Sequence, residues 1–299
     1  MSTERDRAPR PAQIVVGVDG SEHAESAAFW AAAQADASGQ SLCLLHAADL
    51  DRISRFASFE TVENVQKTGR EWLIATTTAV QESFPSLDIA RKLSRREPVS
   101  ALHEATGPQD SIVVGNRGRG GFGALMLGSV GLEVTVGATV PVVVVRGESE
   151  WSRTGHVTAA VRGDTDEDWL EAAARQAQIR GAGLQLLGVR NILARATGTA
   201  SPSGEDAQPD RRREQQLEAL AAGLRHAFPG TAVSVKVETG RSAAAVLVEA
   251  SRHCDLLLMG GRRHLSTMGA GPGRIAHALL HHSRCPVEIV PRHHTEEVV

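Results

Sequence analysis

Short runs of apolar residues alternate along this chain with longer segments of mixed or alanine-rich composition. Residues 14–19 (Ile-Val-Val-Gly-Val-Asp) form a continuous apolar run that ends in an acid, which is typical of a buried central strand in a parallel sheet. The next segment predicts a helix, because Ser21 is a suitable N-cap, Glu22 and Glu25 fall in the first turn, and Ser38-Gly39 ends the alanine-rich stretch. Strands and helices keep alternating in this way, which predicts parallel βαβ units with helices on both faces of a sheet.

The same order of elements is predicted in both halves of the chain. The pattern of the first half predicts further strands at 42–48, 87–94, 112–115 and 140–145, helices at 61–83 and 98–106, and a loop at 49–59. The pattern of the second half predicts strands at 157–161, 184–189, 232–237, 255–260 and 286–290, helices at 166–180, 211–227 and 243–252, and a surface loop at 197–210.

A strand–loop–helix–strand unit occurs twice, with the copies about 145 residues apart. In the first copy, Asp110–Gly115 is a buried strand followed by a glycine-rich loop, and Gly128-Ser129 opens the next helix. Asp255–Gly260 and Gly273-Arg274 hold the same places in the second copy. The copies differ in the loop and at the helix start, which predicts one working ligand site beside one degenerate site.

Length, composition and charge fit two globular domains, which we place at residues 1–150 and 151–299. Apolar residues make up 41% and charged residues 22% of the 299 positions, as in an ordinary globular protein. The net charge is −3, with 14 Lys and Arg against 19 Asp and Glu in the first half and 18 against 16 in the second. Neither half is basic enough to predict a nucleic-acid partner.

Cysteine usage and the chain's first residues favour a cytoplasmic location. The three cysteines, Cys43, Cys254 and Cys285, show no C-x-x-C spacing, which favours reduced thiols over a disulfide framework. Residues 1–11 are polar and charged, and no apolar run approaches the ~20 residues that a membrane span needs. We therefore expect a cytoplasmic protein that has no signal peptide and does not bind a membrane.

The glycine spacing of the first half is suited to binding a phosphate group. The spacing is Gly115-x2-Gly118-x9-Gly128-Ser129. Glycines just past a strand let a ligand approach the backbone closely, and a helix start offers free N–H groups to an anion. The site falls at the carboxyl ends of parallel strands, where Asp19 is placed to accept from ribose hydroxyls or to hold Mg²⁺ through water.

Plainer interpretations of the same residues stay open. Glycine-rich turns after strands often serve only tight packing, and arginines such as Arg117 and Arg119 are usually solvated. The segment Gly123-x4-Gly128-Ser129 also resembles part of a Walker A sequence. The lysine of that motif is missing, so the sequence excludes a P-loop NTPase.

Three motifs together resemble those of the universal stress protein family: Val15-Val-Gly-Val-Asp19-Gly-Ser21, Leu45-His46 at the end of the second strand, and the Gly-x2-Gly-x9-Gly-Ser spacing. The likeness covers nearly the whole chain as a tandem pair. It implies an α/β fold of two Rossmann-like (adenine nucleotide alpha hydrolase-like) domains, each a five-stranded, mostly parallel sheet flanked by helices. Family members commonly dimerise through the last strand, so the two halves are expected to pack as an intramolecular pseudo-dimer.

The resemblance also implies a ligand and the residues that bind it. Nucleotide-binding family members hold ATP with these motifs, so ATP, together with the Mg²⁺ that it carries, is the expected cofactor of the first domain. The implied site consists of Asp19, with Gly20 beside it, at the ribose, the backbone near Ala47 at the adenine, and Gly115, Arg117, Gly118, Gly128, Ser129 and Val130 around the phosphates. No catalytic residue and no direct metal ligand is implied.

Several positions depart from the family pattern. Gly131 stands where nucleotide-binding members usually carry a second hydroxyl residue, so one phosphate donor is missing. In the second half, Arg162 takes the place of Asp19, Arg263 that of Gly118 and Arg274 that of Ser129. These changes predict a degenerate second site, although the three added arginines leave a weak or different anion site open.

Histidines near the end of the chain raise the alternative of a zinc site. His277 and His281 are four residues apart in a predicted helix, a spacing that places two imidazoles on one face. No H-E-x-x-H or C-x-x-C pattern accompanies them, so surface or interface histidines are the preferred interpretation. The tryptophans, Trp72 among them, are most simply core or domain-contact residues.

The sequence thus leads us to expect a universal stress protein whose first domain binds ATP and which acts as a nucleotide-responsive stress regulator. The expected partners are the adenine nucleotide, an unidentified regulatory protein and, as a further option, a second copy of the tandem chain. Two alternatives stay open. One is a scaffold that binds no nucleotide and serves dimerisation or partner contact; the other is a weak ATPase, which the lack of a positioned general base disfavours.

Overall fold

A computed structural model describes residues 12–119, 127–146, 154–163, 166–191, 208–261 and 273–292 of the chain. The strands are β1 Gln13–Gly17, β2 Ser41–Ala47, β3 Ile89–Ser94, β4 Ser111–Gly115, β5 Val142–Val145, β6 His156–Val161, β7 Gly183–Asn191, β8 Val233–Gly240, β9 Leu256–Gly260 and β10 Val287–Val290. The helices are α1 Glu22–Ser38, α2 Leu50–Ile53, α3 Phe59–Ser83, α4 Pro98–Ala105, α5 Ser129–Glu133, α6 Glu167–Arg180, α7 Gln208–Ala227, α8 Ala243–Ala250 and α9 Arg274–His282.

All of these strands belong to one ten-stranded sheet with the order β3-β2-β1-β4-β5-β10-β9-β6-β7-β8. Within each half the neighbouring strands are parallel, as predicted, and the strand order of the first half is mirrored in the second. The halves meet where β5 pairs with β10, and this pair is antiparallel. We call this pair the seam.

The register of the seam gives the chain an internal two-fold axis. Glu288 lies opposite Val143, and these two residues are equivalent positions of the repeat, about 145 residues apart. Equivalent residues that face each other in an antiparallel pair lie on the axis that relates the two strands. The expected pseudo-dimer is therefore present, and its axis passes between these two side chains.

Each face of the sheet is covered by helices from both halves. On one face, α1, α3, α6 and α7 bury a cluster that contains Trp30, Leu73, Trp169 and Leu217. On the other face, α4, α8 and α9 bury a second cluster with Leu102, Leu247 and Leu279. Both clusters continue across the seam, so one sheet and two shared cores hold the halves together.

The local signals read from the sequence explain most helix ends. Ser21 caps α1 by accepting a hydrogen bond from the Ala24 N–H at 3.2 Å, and Gly39 ends the helix in the left-handed conformation at φ 69°. Gly181 ends α6 in the same way at φ 60°. Glycine tolerates this conformation without a Cβ clash.

The aspartates that open the two repeated strands have the same structural task. Asp110 accepts from the Gln13 N–H at 2.9 Å and from the Gly107 N–H at 2.8 Å. Asp255 accepts from the Thr154 hydroxyl at 2.8 Å and from the Gly155 N–H at 3.0 Å. Each carboxylate therefore satisfies backbone donors at the start of the neighbouring strand.

Two predicted connections differ from the structure. The predicted loop at 49–59 contains the short helix α2, and α3 begins at Phe59 because Ser58 caps it by accepting from the Thr61 N–H at 3.2 Å. The helix predicted from 211 begins at Gln208, so the last residues of the predicted surface loop are helical; residues 192–207, which include the rest of that loop, lie outside the described residues. None of the helices in the described ranges combines the length and the apolar character that a bilayer crossing requires.

A partly buried polar network lies beneath the seam, between α1 and α6. Gln34 of α1 accepts from the Arg180 guanidinium at 2.7 Å and donates to Gln176 at 3.0 Å, and Arg180 also stacks over Trp30 at 4.9 Å. Glu288 points to the face of the sheet that α1 and α6 cover, and it is only 2% exposed. Burial raises the pKa of Glu288 from its ordinary value of 4.5 to about 7, although the charge of Arg180 partly opposes the shift.

The buried Glu288 predicts a specific pH dependence of stability. Because its pKa is raised in the folded state, the native protein holds a proton that the unfolded chain releases between pH 4.5 and about 7. The free energy of unfolding therefore falls as the pH rises through this window. We expect Glu288→Gln to remove this contribution, so that the variant gains about 2–3 kcal/mol relative to the wild type between pH 5 and pH 8.

Urea unfolding of both proteins at a series of pH values measures this difference. Glu249→Gln is the matched control, because Glu249 is exposed and pairs with Arg252 at 3.1 Å at the surface. It should leave the pH dependence unchanged. Parallel pH profiles for wild type and Glu288→Gln would show that Glu288 titrates normally.

Candidate functional site

A cleft of about 690 Å³ opens at the carboxyl edge of the first-half strands. Its volume is within the range of small-molecule and cofactor sites, which is about 300–1,000 Å³. The inner wall is apolar and includes Leu45, Leu102, Val114 and Leu127. The mouth carries the charged side chains of Asp19, Glu22, Arg117 and Arg119, together with His23 and the backbone of residues 128–131.

Asp19 holds the first part of the glycine-rich loop in place. One carboxylate oxygen, Oδ1, accepts from the Ser21 N–H at 3.1 Å and from the Ser21 hydroxyl at 2.6 Å. The other, Oδ2, accepts from the Arg119 N–H at 2.9 Å. A Cβ at Gly118 would collide with Oδ2. Glycine at 118 is therefore required for this approach between the strand end and the loop.

Two other glycines bring bare backbone to the wall of the cleft. At Gly115, a Cβ would lie 2.5 Å from the His23 carbonyl oxygen, so α1 packs directly against the end of β4. Gly128 donates its N–H to the Asn116 carbonyl at 2.8 Å, and a Cβ at Gly128 would lie 3.6 Å from the Gly118 nitrogen. Gly128 is also the N-cap residue of α5. Because glycine has no side chain, it cannot accept a hydrogen bond from the first N–H groups of that helix.

An aromatic group that the sequence does not predict as part of the site lies next to the cleft. Trp72 of α3 is half-buried, and the Arg119 guanidinium lies 4.7 Å above its ring. Gly20 lies under the indole, because a Cβ there would be 2.5 Å from the Trp72 Nε1. Trp72 thus supports both the turn after β1 and the arginine at the mouth, the latter by a cation–π contact.

His46 at the end of β2 packs behind this group. It is 7% exposed, its Nδ1 lies 2.7 Å from the Val18 carbonyl oxygen, and its ring meets Trp72 edge-on at 5.1 Å. Since a carbonyl can only accept, Nδ1 carries the hydrogen. This geometry agrees with the packing role that is usual for a histidine at the end of a strand.

The structure brings most of the predicted site residues together. Eight of the nine predicted site residues line the cleft: Asp19, Ala47, Gly115, Arg117, Gly118, Gly128, Ser129 and Val130. Gly20 lies instead against Trp72. Glu22, His23 and Pro98 also line the cleft, although the sequence does not predict them as ligand contacts. The sequence identifies Glu22 only as an acid in the first turn of a helix. Nothing in the motif spacing indicates that His23 or Pro98 contacts a ligand. The loop glycines 120, 121 and 123 lie outside the described residues.

The Asp19 carboxylate accepts three hydrogen bonds and keeps one acceptor position open. Oδ1 already accepts two hydrogen bonds and Oδ2 accepts one, which leaves room for one more donor such as a ribose hydroxyl or a metal-bound water. Among the described residues, no group of three or more His, Cys, Asp or Glu side chains is arranged to hold a metal ion.

The corresponding place in the second half is filled by side chains. At Gly260, the equivalent of Gly115, a Cβ would lie 2.5 Å from the Trp169 Nε1 and 2.9 Å from the Arg292 Nε. Trp169 is 1% exposed, and Arg292 forms a buried ion pair with Asp166. Where the first half has a cleft against α1, the second half therefore has an indole and an ion pair.

Arginines also crowd the second-half strand ends. Arg213 of α7 donates to the Val161 carbonyl at 3.4 Å. Burial, and then the positive charges of Arg162 and Arg190, lower the pKa of Arg213. Arg274 is exposed at the start of α9, and Arg263 lies outside the described residues. Among the described residues, Trp169 and arginine side chains thus occupy the second-half strand ends, and the degeneracy of this site stays a prediction.

The histidine pair of α9 is stacked. The rings of His277 and His281 have centroids 4.3 Å apart. Burial lowers the pKa of His281, and the neighbouring His277 and His282 lower it further. This is a small cluster at the end of a helix, and the described residues supply no group of three ligands there.

Comparisons with known proteins agree with this architecture. The Universal stress protein family profile matches residues 12–146 and 154–291. A universal stress protein of Mycolicibacterium smegmatis is 36% identical over 134 residues, which is 44% of this chain and 45% of that protein; the chain thus spans about half the length of this relative in the match. A universal stress protein of Mycobacterium tuberculosis is 24% identical over 284 residues, or 92% of this chain and 95% of that protein.

Solved structures show the same fold along the whole chain. The crystal structure of a universal stress protein from Archaeoglobus fulgidus aligns at a TM-score of 0.66 and 17% identity, covering 94% of this chain and 98% of that one. The fold and the cleft define a tandem α/β protein with a candidate ligand site at the carboxyl edge of its first-half strands. Because the family profile matches both halves, the chain belongs to the universal stress protein family.

The contact between Gly20 and Trp72 leads to a testable prediction about how Trp72 supports the turn after β1. Gly20 and Gly39 have similar left-handed conformations, at φ 74° and 69°, so alanine costs about 1–2 kcal/mol of backbone strain at either. Only at Gly20 does the added Cβ meet the indole; at Gly39 nothing lies within 4 Å. We expect Gly20→Ala to lower the free energy of unfolding by about 1–3 kcal/mol more than Gly39→Ala does. Urea unfolding measures both, and equal losses would mean that Trp72 does not pack against the turn.

Proposed function

We propose that the first half of this universal stress protein binds ATP, with Mg²⁺ carried by the nucleotide, in the cleft at the carboxyl edge of its sheet. The observation that carries this proposal is the convergence of bare backbone at Gly115, Gly118 and Gly128 on one cleft of about 690 Å³. A triphosphate needs such a wall, because its oxygens accept hydrogen bonds from main-chain N–H groups that side chains would otherwise cover. The Gly128 N–H is itself taken by the Asn116 carbonyl, so the donors at this place would be the N–H groups of the first turn of α5, which has no side-chain cap.

The rest of the cleft suits the other parts of the nucleotide. The apolar wall near Leu45, Ala47 and Leu102 offers a surface for an adenine ring. Asp19 retains one acceptor position for a ribose hydroxyl. Arg117 and Arg119 at the mouth place positive charge near the phosphate end, which offsets the nearby carboxylate of Glu22.

We propose a regulatory rather than an enzymatic role, in the cytoplasm. Bound nucleotide would stabilise the folded first half, by about 2.7 kcal/mol at a hundredfold excess over Kd, and a protein partner would recognise the bound form. A weak ATPase is the alternative that a specific observation favours, because Glu22 and His23 both line the cleft. Release of inorganic phosphate at millimolar ATP distinguishes the two roles.

The binding site itself is tested by titration calorimetry with ATP and Mg²⁺. Ser129→Ala removes a hydroxyl at the helix start, and we expect at least a several-fold loss of affinity from the loss of one hydrogen bond to a charged group. Arg274→Ala is the matched control, since Arg274 holds the equivalent position in the second half. It should leave the affinity unchanged.

Asp19→Asn tests the ribose contact while keeping the side chain's shape, and it should also weaken binding several-fold. Absence of binding heat, of a 260 nm absorbance shoulder in the purified protein and of any shift in melting temperature would favour the scaffold function. Loss of binding in Arg274→Ala alone would move the site to the second half.

A gain of affinity is expected from restoring the missing hydroxyl at position 131. A Cβ at Gly131 would lie 3.2 Å from a terminal methyl of Leu127 and 3.6 Å from the Gly115 carbonyl oxygen, so a small side chain fits after a slight shift of that methyl. Gly131→Ser should tighten ATP binding by roughly threefold to tenfold, since one net hydrogen bond contributes about 1 kcal/mol. Gly131→Ala is the control that adds the carbon without the hydroxyl. Equal affinities for the two variants would show that no phosphate oxygen reaches this position.

A further inference from the structure

Two thiols of the second half lie in contact inside the protein. The Sγ atoms of Cys254 and Cys285 are 3.6 Å apart. Both residues are 4% exposed, and both are free cysteines. The sequence alone predicts only that they are reduced thiols, because they are 31 positions apart and no motif links them.

The fold itself holds the two thiols together. Cys254 lies just before β9 and Cys285 just before β10, and these strands are parallel neighbours with Leu257 opposite Val287. The chain segments that enter two adjacent parallel strands lie at the same edge of a sheet. The Arg284 N–H also donates to the Ser251 hydroxyl at 2.9 Å, which fixes the two entry segments to each other.

The dithiol has a chemical asymmetry. A hydrogen bond from the Cys285 thiol lowers the pKa of Cys254 below its ordinary value, and the Thr158 hydroxyl contributes in the same direction. The shared hydrogen bond and burial raise the pKa of Cys285 well above the ordinary value. Cys254 is therefore the thiol that reaches the reactive thiolate form more easily.

A cavity lies beside the Cys254 end of this pair. Its volume is about 350 Å³, and it is lined by Thr158, Gln185, Lys236 and His253 among others. His253 directly precedes Cys254 in the chain, and Thr158 is the hydrogen-bond partner of its thiol. Thr158 therefore lies both on this cavity and against the Cys254 thiol.

We propose that Cys254 and Cys285 form a reversible disulfide when the protein meets a peroxide. The Cys254 thiolate sulfur attacks one peroxide oxygen, the O–O bond breaks, and the leaving hydroxide takes up a proton to become water. Cys254 is then a sulfenic acid. The Cys285 sulfur gives up its proton, bonds to the Cys254 sulfur and displaces hydroxide, which takes up that proton and leaves as a second water. Two thiols are oxidised by two electrons, and one hydrogen peroxide is reduced to two waters.

The disulfide would act on the strand that joins the two halves. It would close a loop over residues 255–284, which includes β9 and α9, and it would anchor the entry to β10. Because β10 forms the seam with β5, a crosslink there restrains the seam strand. Closing a loop of this length restricts the unfolded chain and raises the melting temperature. The proposal is independent of nucleotide binding, because the pair lies in the second half, at the edge of the sheet where β9 and β10 begin.

The repeat supplies conservative variants for the test. The positions equivalent to Cys254 and Cys285 in the first half are Gln109 and Val140, and Val140 is 2% exposed. Cys285→Val therefore places in the second half the residue that the first half already buries there. Cys43 is the matched control thiol, since it is also buried, at 5% exposure, but lies in β2 of the other half.

The experiment treats the reduced full-length protein with a few equivalents of hydrogen peroxide. We expect the mass to fall by about 2 Da with loss of two of the three titratable thiols, and peptide mapping to find the Cys254–Cys285 crosslink. The melting temperature should rise by about 5 °C and return to its starting value with dithiothreitol. Cys43→Ser should respond like the wild type, whereas Cys254→Ser and Cys285→Val should show neither the mass loss nor the shift.

Other results overturn the proposal. These are a gain of oxygen atoms at either cysteine without crosslinking, a disulfide that involves Cys43, or three thiols that survive excess peroxide in the folded protein. If a cysteine variant is unstable, peptide mapping of the wild-type protein decides by itself, because the crosslink is either found or absent.

Discussion

The antiparallel pairing of β5 with β10 is the contact on which the rest of this structure depends. Each half alone would leave a fully buried strand, Val142–Val145 or Val287–Val290, at an open sheet edge, where unpaired backbone groups invite aggregation. The pairing satisfies those groups and lets both hydrophobic clusters continue from one half into the other. Arg146 strengthens it from the side, since its guanidinium reaches the carbonyl groups of Leu280 and Ser283 at the end of α9.

The candidate site depends on the parallel pairing of the strands within the first half. Parallel strands bring the ends of β1, β2 and β4 to one edge, where Asp19 ties the turn after β1 to the loop after β4. Glycine at 118 permits this approach, and glycine at 115 permits α1 to pack against the end of β4. In the second half the equivalent edge is built from the corresponding strands β6, β7 and β9, but Trp169 and the Arg292–Asp166 pair occupy the space. The two halves therefore share a fold and differ in what their strand ends leave open.

Most of the fold could be predicted from the sequence because its signals are local. Apolar runs marked the strands, and residues such as Ser21 and Gly39 marked helix ends. The glycine spacing and the acid after β1 also located the cleft. Trp72, by contrast, comes from a helix about 50 residues beyond the turn that it supports, and the register that puts Glu288 opposite Val143 comes from strands in different halves. The contact between Cys254 and Cys285 depends on the pairing of β9 with β10. No sequence period records such distant contacts.

The position of Glu288 on the internal axis shows what joining two copies in one polypeptide makes available. In an assembly of two identical chains, every residue on a two-fold axis meets its own duplicate, so a glutamate there would face a second glutamate in a dry interior. Like charges so close together could not both ionise. Here the counterpart is Val143, and a lone carboxyl group can occupy the axis. In a homodimer, each substitution appears in both subunits. Because the two repeats of this protein are joined in one chain, a substitution can change one side of the axis alone.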